Sequence, residues 1–185
     1  MDTMTIVRAG VAALALLGGA ACTSPAPRPD SVAARDGARD SIPADSAFAA
    51  VQARGADPRA MGVDQYSSPH RFDALPDGGR IELQRTTDDS AGVAQIRRHM
   101  REIASAFTSG DFDTPAFVHA QRVPGTDVMA AKKGAISYEP RDLPRGAEVR
   151  ITTRDPDALR AVHAFIAFQR GDHRSGGSGT PQHAH

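Results

Sequence analysis

The sequence has little of what disulfide frameworks and nucleic-acid platforms are made from. It contains one cysteine and no tryptophan, and aromatic residues make up 5% of its 185 positions. A single cysteine excludes an internal disulfide framework and a zinc site of four thiolates. The scarcity of aromatic side chains argues against the base-stacking surfaces that bind single-stranded nucleic acid.

The chain also lacks an excess of charge of either sign. It has 22 basic and 22 acidic residues, so its formal net charge is zero. Binding to nucleic acid depends on an excess of positive charge that neutralises phosphates. We therefore expect no nucleic-acid partner.

The first residues have the pattern of an export signal. Arg8 precedes an apolar run at 9–21, which is too short to span a bilayer as a permanent helix, and small residues lead directly to Cys22. The pattern resembles a bacterial lipoprotein signal, so we predict a signal peptide at 1–21 and a lipid anchor on Cys22. An ordinary secretory signal with a chance cysteine is the alternative, and both imply export.

The anchor also indicates a location. Thr23 follows the cysteine where an aspartate would otherwise stand, as in lipoproteins sorted to the outer membrane, by resemblance. We therefore expect the protein in the cell envelope, attached to the outer membrane through the lipid on Cys22 and facing the periplasm.

Composition divides the mature chain into three parts. Residues 22–46 and 174–185 are rich in small and polar residues and have few large apolar side chains, which is typical of a disordered tether and a disordered tail. The stretch 47–173 between them holds the periodic apolar pattern of one small domain.

Apolar spacing predicts two main helices in this domain. The first has an apolar stripe with spacings of three and four residues, consisting of Val93, Ile96, Met100, Ile103 and Phe107. Asp89 or Ser90 is expected to cap its start and Gly110 to end it. The second begins at Asp155-Pro156 and runs to about Arg170.

Four segments of alternating residues predict two β-hairpins. Strands at 71–75 and 80–85 flank the turn 76–79, and strands at 135–139 and 147–153 follow a short helix within 124–133. We therefore predict a two-layer α+β domain, in which two hairpins form an antiparallel sheet and the two main helices pack on one face.

The domain's histidines are its best candidates for a site. There are five of them: His70, His99, His119, His163 and His173. In an exported protein without spare thiols, histidine and methionine are the ligands expected for copper. We predict that His99 and His163 approach each other if the two main helices pack side by side. His119, in a segment expected to be extended, joins them near Met129 in a metal site.

Two other interpretations stay open. Asp111, Asp113 and Asp127 lie near His119, so a histidine with a carboxylate partner can serve as a general base in a hydrolase or transferase. However, there is no nucleophile motif or phosphate-binding loop. A binding module without catalysis, with a small ligand or an envelope protein as its partner, accounts for the same residues, because isolated histidines often satisfy buried polar groups.

Several motifs resemble a group of small exported bacterial proteins. The motifs are MGVDQYSS, LPDGGRIELQ, IRRHMREIASAF, GDFDTPAFVHA, VPGTDVMA, LPRGAEVRITT and AVHAFIAFQRGDH, and they cover residues 61–173. The resemblance implies a shared domain rather than an activity. Some members of the group carry an aspartate carbamoyltransferase label. This chain argues against that activity, because it is too short for the two-domain enzyme and lacks the SxRT loop for carbamoyl phosphate.

Overall fold

A computed structural model describes residues 44–175. Its elements in chain order are α1 (Ala44–Gly55), β1 (His70–Leu75), β2 (Gly78–Gln84), α2 (Ser90–Ser109), α3 (Asp113–His119), α4 (Thr126–Ala131), a 3-10 turn (Lys133–Ala135), β3 (Ile136–Leu143), β4 (Gly146–Thr153) and α5 (Pro156–Asp172). The predicted signal peptide, Cys22 and most of the tether and tail lie outside these residues. Helix α1 begins inside the predicted tether.

The four strands form one antiparallel sheet in the order β1-β2-β4-β3. Each predicted hairpin is present, and pairing of β2 with β4 joins the two hairpins, with Ile81 opposite Val149 at the centre. The α+β class predicted from the sequence is confirmed. Strand β1 is an edge of the sheet, which leaves one of its sides available to other parts of the chain.

The two main helices pack on the apolar face of the sheet. Helix α2 lies against β3 and β4, and α5 lies against β1 and β2. Ile96, Val149, Val162 and Ile166 are fully buried between these layers. Burial of side chains of this size contributes about 2 kcal/mol each to folding. The core therefore lies between sheet and helices, as the alternating pattern predicts.

The ends of the main helices follow their sequence signals. The carboxylate of Asp89 accepts a hydrogen bond from the backbone N–H of Gly92 at 3.1 Å, and Gly110 ends α2 with φ of 84°. The carboxylate of Asp155 accepts from the backbone N–H groups of Asp157 and Ala158 at 2.9 Å each. These contacts satisfy donors and acceptors that a helix end leaves free.

Helix α3 is the element that the sequence prediction missed. The segment before His119, expected to be extended, is helical over Asp113–His119 and ends at Ala120, whose φ is 51°. Pro115 lies in the first turn, where a missing N–H costs nothing. The helix is too short for a clear apolar period, so its packing against α1 decides its conformation. None of the described helices is long and apolar enough to cross a membrane.

Candidate histidine cavity

A cavity of about 70 Å³ lies beside the edge strand β1, where α2, α3 and α5 meet the connection between α1 and β1. Four of the domain's five histidines line it, namely His70, His99, His119 and His173. Space of this size holds a few water molecules or one very small ligand. We call it the histidine cavity.

Different elements supply each of these histidines. His70 is the first residue of β1, and His119 is the last residue of α3. His99 lies on α2 next to Met100, and His173 caps the C-terminal end of α5. The cavity therefore exists only after four separate elements have packed.

His119 is the most firmly held of the four. Its side chain is buried, its Nδ1 forms a hydrogen bond with the carboxylate of Asp172, and its Nε2 lies 2.8 Å from the side-chain oxygen of Gln169. The carboxylate accepts from Nδ1–H, which fixes the orientation of the ring. Both partners come from the last turns of α5.

His173 connects the other rings. Its Nδ1 lies 2.8 Å from the side-chain oxygen of Gln65. Its ring centroid lies 4.6 Å from that of His70 and 5.0 Å from that of His119. The ring of His173 therefore brings three imidazoles into contact.

His70 has a buried nitrogen without a partner. Its ring stacks on Phe72 with centroids 5.5 Å apart, and its Nδ1 forms no hydrogen bond with any of residues 44–175. An unsatisfied buried nitrogen costs about 1–3 kcal/mol, so such atoms are rare in folded proteins and call for an explanation.

Burial disfavours the charged form of these histidines. It holds the pKa of His70 well below its ordinary value, and His173, His99 and His119 add repulsion between like charges. Burial lowers the pKa of His99 to about 4, although the carbonyl of Ala60 accepts a hydrogen bond from its ring. Burial, then His119, lowers the pKa of His173 to about 3, against the opposing effect of Asp172. At neutral pH these three imidazoles are uncharged and keep a lone pair.

The structure brings together only part of the predicted site. His99 and His119 line the cavity, but His163 and Met129 do not. Nε2 of His163 lies 2.9 Å from the carbonyl oxygen of Leu75, and Met129 is fully buried in the core. The prediction that His163 meets His99 and His119 in one site is therefore wrong. His163 precedes Phe165, a residue of α5 that lines the cavity, by two positions, or about 200° of helix rotation, so it lies on a different face of the helix and contacts Leu75 of β1 instead.

The prediction left out His70, His173 and the residues that orient the rings. Gln169 and His173 are four residues apart on α5, which places them on one face of the helix. That spacing of four residues is the signal in the sequence that pairs Gln169 with His173. No local signal marks His70 or Gln65, since tertiary packing alone brings them to α5.

Two further observations bear on what the cavity can hold. Within residues 44–175, no three side chains of histidine, cysteine, aspartate or glutamate already have an arrangement that would hold a metal ion. The aspartates of the alternative enzyme interpretation, Asp111, Asp113 and Asp127, do not line the cavity. The carboxylate that contacts His119 is instead that of Asp172.

Comparison of the chain with protein-family models, with curated proteins and with solved structures finds no match. The resemblance to a group of small exported proteins therefore remains a prediction.

Proposed function

We propose that the chain is an exported binding protein, anchored to the membrane by a lipid on Cys22, and that its domain binds a transition-metal ion in the histidine cavity. The observation that carries the proposal is the contact of His70, His119 and His173, with a buried nitrogen of His70 left without a partner. A metal ion is a ligand that several neutral imidazoles can share.

Ring separations support a shared ion. Two imidazoles bound to one tetrahedral metal at about 2 Å place their ring centroids about 5 Å apart. The centroid of His173 lies 4.6 Å from that of His70 and 5.0 Å from that of His119. An ion held by all three still requires a change in side-chain orientation. In particular, Nε2 of His119 must exchange the amide of Gln169 for the metal.

The hydrogen bonds of the rings also support a metal site. Histidines that bind metals almost always donate their other ring N–H to a carboxylate, an amide or a backbone oxygen. The carboxylate of Asp172 accepts such a hydrogen bond from Nδ1 of His119, and the side-chain oxygen of Gln65 accepts one from Nδ1 of His173. These contacts leave Nε2 of His173 for a ligand, and they leave Nε2 of His119 once that nitrogen releases the side chain of Gln169.

Side-chain chemistry favours copper. Imidazole binds both copper and zinc, whereas thioether sulfur selects the softer Cu(I). Met61 and Met100 line the cavity with the histidines, and both are buried. A hard cation such as Mg²⁺ or Ca²⁺ is disfavoured, because those ions require several oxygen ligands.

The test is a metal titration of the full chain carrying Cys22→Ser, His183→Ala and His185→Ala, which removes the thiol and the histidines near the C-terminus. We expect about one Cu(I) per chain, measured by elemental analysis after gel filtration, and a higher melting temperature with the ion bound. His70→Ala and His173→Ala are each expected to weaken binding by at least about tenfold.

His163→Ala is the matched control, because His163 is a histidine of the same domain outside the cavity. It is expected to bind copper as the parent does. The proposal fails if the parent chain takes up no ion, or if His163→Ala weakens binding as much as His70→Ala. Circular dichroism of each variant separates loss of binding from loss of folding.

A second candidate function is general-base catalysis, favoured by the contact of Asp172 with His119. It is weaker, because Gln169 occupies the nitrogen that would accept a proton. Among the described residues, no hydroxyl or thiol group forms a hydrogen bond with His119 that would mark a nucleophile.

A further inference from the structure

A larger groove adjoins the histidine cavity on its outer side. It has a volume of about 630 Å³ and lies between α1, the start of β1 and the end of α5. Gln65, His70 and His173 line both spaces and form the wall between them. We call it the outer groove. Its volume is within the range of pockets that bind small organic molecules, about 300–1,000 Å³.

The outer groove has positive charge and no lining carboxylate. Arg71 and Arg174 are among its lining residues, and no aspartate or glutamate is. The side chain of Arg71 is exposed and forms no hydrogen bond or ion pair within the part of the chain that the structure describes, whereas its backbone pairs with that of Glu82 in the sheet. Arg174 pairs with Asp45 at 3.0 Å, but that carboxylate is exposed to solvent, so the pair is weak. In a chain without net charge, this concentration of guanidinium groups favours an anion.

Buried polar atoms without partners are concentrated at the same place. Residues 44–175 contain five such side-chain atoms, and three of them, Gln52 Oε1, His70 Nδ1 and Ser175 Oγ, belong to residues that line the outer groove. Gln52 Oε1 can only accept a hydrogen bond, and a neutral His70 Nδ1 can accept one. A ligand that carries a hydroxyl group would supply the missing donor.

The groove also presents an exposed aromatic ring. Tyr66 is 70% exposed, whereas most large apolar side chains of the domain are buried. Its ring meets that of Phe48 edge to face with centroids 6.3 Å apart, and the guanidinium of Arg174 lies 4.7 Å from the centroid of Phe48. Tyr66 therefore presents an exposed ring in the groove next to Phe48, the ring that Arg174 contacts, and a planar or apolar group can stack on it.

We propose that the outer groove binds a small organic anion that carries a hydroxyl group and a planar apolar part. The guanidinium groups of Arg71 and Arg174 attract its carboxylate. Its hydroxyl donates to Gln52 Oε1, which a rotation of that side chain brings to the groove, and its planar part lies against Tyr66. This site does not depend on metal binding in the histidine cavity.

The test uses the full chain carrying Cys22→Ser, freed of metal with a chelator, and 4-hydroxybenzoate as the probe. Isothermal titration calorimetry is expected to show saturable binding. 4-Hydroxybenzamide, which lacks the charge, and benzoate, which lacks the hydroxyl, are each expected to bind roughly tenfold more weakly. Equal affinity for all three compounds, or no saturable binding of the first, would overturn the proposal.

Two substitutions locate the site. Arg71→Ala is expected to weaken binding of 4-hydroxybenzoate roughly tenfold, whereas Arg98→Ala, which removes an exposed arginine of α2 outside the groove, leaves it unchanged. Gln52→Leu is expected to abolish the preference for 4-hydroxybenzoate over benzoate. The anion site is disproved if Arg71→Ala and Arg98→Ala bind alike. Arg71 and Arg98 are both exposed, so neither substitution disturbs the core.

Discussion

At the scale of single residues, the surroundings of each histidine decide its chemistry. His163 contacts one backbone carbonyl outside the cavity, and His119 is held by a carboxylate and an amide. His70, His99 and His173 have in common that burial lowers their pKa. The same residue type therefore provides a surface contact, an oriented ring and uncharged ligands in one small domain.

The metal-free domain is expected to lose stability as the pH falls below about 6.5, the ordinary histidine pKa. His99 and His173 have folded-state pKa values of about 4 and about 3, so the unfolded chain binds more protons in this range. The contribution of these two uncharged histidines to the free energy of unfolding is fully present above pH 6.5 and is lost as the pH falls toward their folded-state pKa values. The loss amounts to up to about 1.4 kcal/mol per pH unit for each histidine. Urea unfolding between pH 7.5 and 4.5 measures it.

His99→Gln keeps a polar side chain at this position, but glutamine does not titrate. The slope of the free energy of unfolding against pH is therefore expected to decrease by up to the contribution of one proton, about 1.4 kcal/mol per pH unit. Identical pH slopes for the parent and His99→Gln would show that burial of His99 does not control the proton balance.

At the scale of elements, the clearest patterns gave the right structures. Helix α2 has the predicted apolar stripe and the predicted end at Gly110, and α5 begins at the predicted proline. Helix α3 was missed, because seven residues give too little periodicity to separate a helix from an extended segment. The conformation of a short element depends on the elements that pack against it, whereas a long amphipathic helix can be predicted from its own sequence.

The junction of α4 and α5 provides a prediction about packing. Gly125 precedes α4 with φ of 87°, and a Cβ atom there would lie 2.2 Å from the carbonyl oxygen of Ala161. Gly125→Ala is therefore expected to destabilise the domain by about 2–4 kcal/mol, through backbone strain and a steric clash with α5. Gly134→Ala is the control, because no atom lies within 4 Å of its added Cβ. Chemical unfolding of both variants should show a loss only for Gly125→Ala.

At the scale of the whole molecule, the charged side chains form local groups and do not produce a long-range electrostatic potential of one sign. On the polar face of the sheet, Arg80 pairs with Asp73 at 2.5 Å and lies 3.8 Å from Glu148. Positive charge without lining acids appears at the outer groove. A zero net charge therefore excludes long-range attraction of polyanions but permits a local anion site.

The predicted attachment to the envelope also concerns the whole molecule. We expect the chain to incorporate radiolabelled palmitate in a bacterial host and to fractionate with membranes. Cys22→Ser is expected to abolish labelling, because the chain has no other cysteine to accept a lipid. Labelling that persists in Cys22→Ser, or a soluble unlabelled parent chain, would contradict the lipoprotein prediction.

The sequence by itself determined the α+β class, both hairpins and the two main helices, because these depend on spacing within short stretches of chain. It also identified His99 and His119 as site candidates. The tertiary structure alone decided that His70 and His173 join them and that His163 does not. Which residues of α5 reach the cavity depends on how the helix packs across the sheet and on which other elements surround it there, and no local period carries that information. The meeting of the histidines is therefore a result of packing between elements distant in sequence.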